Sequence, residues 1–121
     1  MIKFEIQKAK KYDLEERTFK FAKRVIQYVN KTPKSLSSIE TGRQLVRTAG
    51  SVGANYIEAN ESLGKKDCAL RIKISRKEAK EANYWLRLCE PMSDQVKERD
   101  FLIQESKELM NIFGAILRKI S

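Results

Sequence analysis

Six basic residues between Lys66 and Arg87 recur at positions that one face of an α-helix presents together. The same face carries a tyrosine. A row of cations binds phosphate groups by releasing their counterions, and an exposed aromatic ring can stack on an unpaired base. The alternative is a lysine-rich face that meets only water. The candidate residues of this face are Lys66, Lys73, Arg76, Lys77, Lys80, Tyr84 and Arg87.

The distribution of charge favours a polyanionic partner. The 121 residues carry 25 Lys and Arg against 16 Asp and Glu, a formal net charge of +9. Residues 1–31 hold 9 basic against 4 acidic side chains and residues 65–90 hold 8 against 4, whereas 32–64 and 91–121 are balanced. Because the excess lies in two segments, we expect a basic surface that binds RNA or DNA. Secondary candidates for this surface are Arg43, Arg47, Lys8, Lys10 and Lys11.

The sequence contains few residues that could catalyse a reaction or bind a metal. It has no His, which is the commonest general base and the commonest metal ligand. Its two cysteines, Cys68 and Cys89, would lie about 30 Å apart on one helix, too far for a disulfide. We therefore predict a non-enzymatic protein without a cofactor or a metal site, whose thiols stay reduced in the cytoplasm.

The N-terminal residues resemble neither a signal peptide nor a membrane anchor. Charged residues stand where an apolar core would be needed, and no apolar run reaches membrane-spanning length. We expect no membrane partner. Ile2, Phe4 and Ile6 alternate with charged residues, which suits a short strand or an extended arm. The sequence thus predicts an N-terminal arm, 1–12, followed by a single domain, 13–121.

Four amphipathic helices account for that domain. Ser37 and Glu40 form a capping box for the second helix, Gly64 suits its left-handed C-terminal cap, and Asp94 suits the N-cap of the fourth. Short connections favour an all-α, antiparallel up-down four-helix bundle. Apolar residues recur at helical spacing over about 13–31, 37–62, 65–90 and 95–120.

The second predicted helix keeps two glycines, Gly50 and Gly53, and counts Ile57 in its apolar stripe. Glycine inside a helix costs about 1 kcal/mol relative to alanine. We therefore expect both glycines to allow another backbone to approach closely.

The third predicted helix carries two apolar lines. One is a seam of mostly small residues at alternating spacings of four and three, which we expect in the core. The other would leave a hydrophobic strip exposed on a monomer, so we expect self-association through it. The seam consists of Cys68, Ile72, Ser75, Ala79, Ala82, Leu86 and Cys89, and the expected subunit contact of Leu70, Ile74, Trp85 and Leu88.

Two separated motifs give the chain a family resemblance. Residues 44–59, QLVRTAGSVGANYIEA, resemble the signature of the small bacterial four-helix bundle proteins known as 23S rRNA intervening-sequence proteins. Residues 76–86, RKEAKEANYWL, look like the third-helix segment of that family, which ends in an aromatic-Trp-Leu sequence. The resemblance extends from about Asp13 to Ile120, and Ala59 departs from it by replacing the usual glycine.

The resemblance implies a bundle that assembles into a homopentameric ring and has no established catalytic activity. It also implies a relation to the accessory proteins of diversity-generating retroelements, which bind nucleic acid and a reverse transcriptase through a basic barrel. We therefore expect a homo-oligomer that binds RNA or DNA as an accessory to rRNA-insertion or retroelement processing, with a reverse transcriptase as a candidate partner. The alternative is an interaction scaffold that docks an acidic partner protein.

Overall fold

The computed structural model describes the backbone of residues 2–120 and the side chains of residues 14–120. Within these limits the chain is all-α, with four helices and no strand, as predicted. A 3-10 turn at Ser93–Gln95 leads into the last helix. The helices are α1 (Ile2–Asn30), α2 (Leu36–Asn60), α3 (Lys65–Leu88) and α4 (Val96–Ile120).

The first helix begins at Ile2, whereas the sequence predicts a start near Asp13. The short strand or extended arm expected from the alternation of Ile2, Phe4 and Ile6 is therefore wrong, because the backbone there is helical. The side chains of residues 1–13 lie outside the described part of the chain. The division into an arm, 1–12, and a domain, 13–121, therefore stays a prediction.

Ion pairs between α1 and α4 show that these helices run antiparallel. Arg17 of α1 contacts Glu105 of α4. Arg24 comes later in α1 but contacts Glu98, which comes earlier in α4. Each helix packs against its neighbours in sequence, and α4 also packs against α1, which closes the bundle.

The small-residue seam of α3 lies in the core, as predicted. All of its residues are buried, and Ala79 and Ala82 are 0% exposed. Ser75 Oγ donates a hydrogen bond to the Val52 carbonyl of α2 at 2.9 Å, which satisfies the one polar side chain of the seam. Burial raises the pKa of the Cys89 thiol, so this cysteine stays protonated and unreactive at neutral pH.

The helix caps differ from those predicted. The N-cap of α2 is Ser35, whose hydroxyl accepts from the Ser38 backbone N–H at 3.2 Å, and the expected cap Ser37 lies inside the helix. Gly64 is extended, with φ of −140°, and precedes α3 instead of closing α2 in a left-handed conformation. Asp94 lies within the 3-10 turn. Neighbouring serines offer nearly equivalent caps, so the local sequence does not decide between them.

The two glycines in the middle of α2 have different surroundings. A Cβ on Gly53 would lie 2.8 Å from Thr18 Oγ1 and 3.2 Å from Thr18 Cβ, so α1 passes close to this residue. A Cβ on Gly50 would meet nothing within 4 Å. The expected close approach is confirmed at Gly53 and is wrong at Gly50.

The variants Gly50→Ala and Gly53→Ala should change stability in opposite directions. Alanine at position 50 should stabilise the fold by up to about 1 kcal/mol, because the space is open and alanine favours a helix. At position 53 it should destabilise the fold by about 1–3 kcal/mol, because Thr18 Cβ is attached to the α1 backbone and cannot move aside. Urea unfolding measures both effects, and shifts of the same sign would contradict this reading of the contacts.

Candidate nucleic-acid interface

Four of the predicted phosphate-binding residues line one groove between α3 and α4. Their spacing of three and four residues places them on adjacent turns of α3. Two apolar side chains of α4 complete the groove, and both pack partly against the core. The groove has a volume of about 340 Å³ and is lined by Lys73, Arg76, Lys77, Lys80, Met110 and Leu117.

Helix α4 adds a cation that the sequence pattern did not indicate. The position that a Cβ on Gly114 would take lies 3.7 Å from Arg76 Nε and 3.6 Å from Arg118 Nη1. A guanidinium nitrogen from each of two helices therefore lies close to the same glycine. Residues 91–121 have equal numbers of basic and acidic side chains, so the count of charge along the chain did not indicate Arg118. Its position one turn after Gly114, on the same helix face, is the signal that could have identified it.

The cations of the groove, and Arg118 beside it, lack acidic partners in the described part of the chain. Between residues 14 and 120, no carboxylate lies within 4.0 Å of the side-chain nitrogens of Lys73, Arg76, Lys77, Lys80 or Arg118. No ion pair therefore neutralises these cations, which leaves them able to attract an anion.

The arginines of α1, on the other side of α4, are neutralised. Arg17 Nε donates to Glu105 Oε2 at 2.7 Å, and its Nη2 donates to Glu108 Oε1 at 2.8 Å. Arg24 Nη2 donates to Glu98 Oε1 at 2.6 Å. The hydrogen bonds to Glu105 and Glu98 raise the pKa of Arg17 and Arg24, respectively. Part of the positive excess of the N-terminal segment is thus held in ion pairs.

The other predicted residues of α3 extend the basic face beyond the groove. Lys66 and Arg87 are exposed in the first and last turns of the helix, about 30 Å apart. Tyr84 is 51% exposed, and its ring meets that of Trp85 edge-on, with centroids 5.2 Å apart.

Two secondary candidates lie on α2, and the structure does not bring them to the groove. Arg43 and Arg47 are exposed, and Arg47 Nη2 lies 4.0 Å from Glu81 Oε1. This contact is on the flank of α3 that faces α2, whereas the groove opens on the flank that faces α4. The side chains of Lys8, Lys10 and Lys11 lie outside the described residues.

Comparison with known families accounts for this architecture. The family model of the 23S rRNA-intervening sequence protein matches residues 10–115. The chain belongs to this family. The match contains both motifs that carried the resemblance, whereas Arg118 lies beyond its end.

A solved structure shares the fold of this intervening-sequence family member. It is the crystal structure of a protein of unknown function from the S23 ribosomal protein family of Bacteroides thetaiotaomicron. The TM-score is 0.75 at 23% identity, over 85% of this chain and 96% of the other, so the likeness shows the fold alone. No curated protein matches the sequence.

The subunit contact predicted for this family member on α3 is only partly accessible. Leu70 is 54% exposed and Leu88 is 47% exposed. Ile74 is half-buried, and Trp85 packs partly against the core. The assignment of these residues to a subunit interface stays a prediction.

A second set of exposed apolar side chains lies on α1 and α2. Phe19 is 59% exposed and Ile26 is 45% exposed on α1, and Ile39 is 46% exposed on α2. Ile57 is 48% exposed, so its expected place in the core stripe is wrong. In a four-helix bundle, apolar side chains at the outer edge of each apolar stripe stay exposed to water unless another surface covers them.

The described part of the chain has neither a metal-binding cluster nor a membrane-spanning helix. Residues 14–120 contain no group of three or more His, Cys, Asp or Glu side chains that could hold a metal ion. Among the described helices, none combines the length and apolar character needed to cross a membrane.

Proposed function

We propose that this intervening-sequence family member binds RNA or DNA through the basic face of α3, centred on the α3–α4 groove. The observation that supports this function is the gathering of cations without a carboxylate within 4.0 Å in residues 14–120. Such a surface binds phosphates by counterion release and requires no base-specific geometry. The cations are Lys73, Arg76, Lys77, Lys80 and Arg118, with Lys66, Tyr84 and Arg87 along the same helix.

In this proposal the protein is not an enzyme and needs no cofactor. It acts in the cytoplasm as an accessory to the processing of rRNA insertions or of a retroelement. A reverse transcriptase is a candidate partner, and the family description supports the link to an rRNA intervening sequence.

The proposal includes a homo-oligomer, with a pentameric ring as the expected form. Exposed apolar side chains on α3 and on α1 and α2 support self-association, because burial of such side chains is favourable. Repetition of the groove around a ring would raise the affinity for a long polyanion without any new contact.

The test is fluorescence anisotropy of labelled single-stranded and duplex RNA and DNA between about 50 and 200 mM salt. We expect micromolar or tighter binding at the low-salt end. If the groove cations contact phosphates, the affinity should fall by about 10²–10³ across this range, because each phosphate adds about −0.9 to the logarithmic salt slope.

The second candidate function is a scaffold that docks an acidic partner protein. Leu70 and Leu88, exposed beside the basic face, favour it, since protein interfaces combine apolar contacts with complementary charge. Absence of binding to every polynucleotide at about 50 mM salt would contradict the first function and favour this one.

A further inference from the structure

The α3–α4 groove has an apolar floor, which a purely phosphate-binding surface does not require. Met110 and Leu117 line the groove below the cations of α3, and both pack partly against the hydrophobic core. A ligand that fills this groove meets positive charge at the rim and apolar surface at the floor. The complementary ligand is therefore anionic on one side and apolar on another.

Arg118 of α4 lies beside this groove and approaches Arg76, which lines it, across Gly114. Arg76 Nε and Arg118 Nη1 each lie within 4 Å of the position that a Cβ on Gly114 would occupy. Two guanidinium groups close to the same glycine repel each other, and an anion that contacts both would reduce that repulsion. In residues 14–120 no carboxylate takes that place. A phosphate group has several oxygens and can accept hydrogen bonds from more than one guanidinium group.

A single strand offers both an anionic group and an apolar face, whereas a duplex offers mainly the anionic group. A single strand presents phosphates together with free base faces, which can cover apolar or aromatic side chains. A duplex keeps its bases in the stack and offers mainly phosphates and sugars to such a surface. Tyr84, exposed one turn after Lys80 on the same helix face, extends the surface on which bases can stack.

We propose that the α3–α4 groove selects single-stranded RNA or DNA over duplex. One phosphate binds between Arg76 and Arg118, and a base covers Leu117. The selection rests on the proposed function, because it assigns a form of nucleic acid to the same basic surface. The groove volume of about 340 Å³ is at the lower end of the roughly 300–1,000 Å³ of small-ligand sites, which is enough for a nucleotide unit.

The experiment compares labelled oligo(dT) with the duplex that it forms with oligo(dA), using the full chain at the same series of salt concentrations between about 50 and 200 mM. We expect the single strand to bind at least about tenfold more tightly. Tyr84→Ala and Leu117→Gln should each lower the single-strand affinity by about five- to tenfold and leave the duplex affinity unchanged. Arg118→Gln should lower the single-strand affinity and reduce its salt slope by about one.

The matched control is Phe101→Ala. Phe101 is an aromatic residue of α4 that is 45% exposed and stacks on Arg24 of α1, away from the groove. Its replacement should change neither affinity. Because Leu117 packs partly against the core, circular dichroism checks the fold of that variant. Tyr84→Ala removes an exposed side chain and keeps the test decisive if Leu117→Gln does not fold.

Equal or tighter binding of the duplex would overturn the selection of single strands and leave nucleic-acid binding itself intact. The same holds if Tyr84→Ala and folded Leu117→Gln both keep the wild-type ratio of the two affinities. No binding at about 50 mM salt of these probes, or of labelled single-stranded and duplex RNA, would instead overturn the proposed function.

Discussion

Replacement of Lys73, Lys77 and Lys80 by glutamate is expected to abolish nucleic-acid binding and to leave the helix content unchanged. The three lysines line the groove and are exposed. The substitution replaces three phosphate-attracting charges by three that repel phosphate, so we expect a loss of at least about 100-fold in affinity. Because no lysine of the three has an acidic partner in residues 14–120, no ion pair is lost. The new glutamates near Glu81 repel it, which lowers the stability of the helix by roughly a few tenths of a kcal/mol.

The control variant has the same change in net charge, but at three lysines outside the α3–α4 groove. Lys23 of α1, Lys31 just after α1 and Lys97 of α4 are exposed and do not line the α3–α4 groove. Their replacement by glutamate should lower the affinity by less than about tenfold, because screening limits the effect of distant charges. Anisotropy with single-stranded and duplex probes measures both variants, and circular dichroism measures the helix content. Equal losses would mean that net charge alone drives binding, and full affinity of the groove variant would refute the assignment to this face.

Replacement of Phe113 by alanine is expected to destabilise the protein by about 3–5 kcal/mol. Phe113 is 0% exposed, and its ring packs against that of Tyr56 with centroids 5.9 Å apart. Alanine would leave a cavity between α2 and α4, which the small residues of the α3 seam cannot fill. Denaturant unfolding followed by circular dichroism measures the loss.

The control for Phe113→Ala is Phe101→Ala on the same helix. Phe101 is 45% exposed, and Arg24 Cζ lies 3.8 Å from its ring centroid. Arg24 keeps its ion pair with Glu98 when the ring is removed. The expected loss is therefore at most about 1 kcal/mol. Comparable losses in the two variants would show that Phe113 does not anchor the core.

The distribution of charge shows why the sequence predicts a basic surface but not its extent. Residues 1–31 and 65–90 have a similar positive excess. In the folded chain, acidic residues of α4 pair with Arg17 and Arg24, which are 74 to 91 residues away in sequence. No acidic residue of the described chain pairs with the groove lysines. Pairings across such separations depend on which helices become neighbours, and a count along the chain does not contain them.

The sequence alone determined the four helices, the buried seam of α3 and the exposed basic face beside it. The position of a residue around a helix depends only on its spacing along the chain, because the helical repeat is fixed by local backbone geometry. The tertiary structure decided which cations remain unpaired, that Arg118 joins Arg76 over Gly114, and that Gly53 but not Gly50 meets a neighbouring helix. These features arise where two helices meet, and their register is set by side-chain packing between segments far apart in sequence.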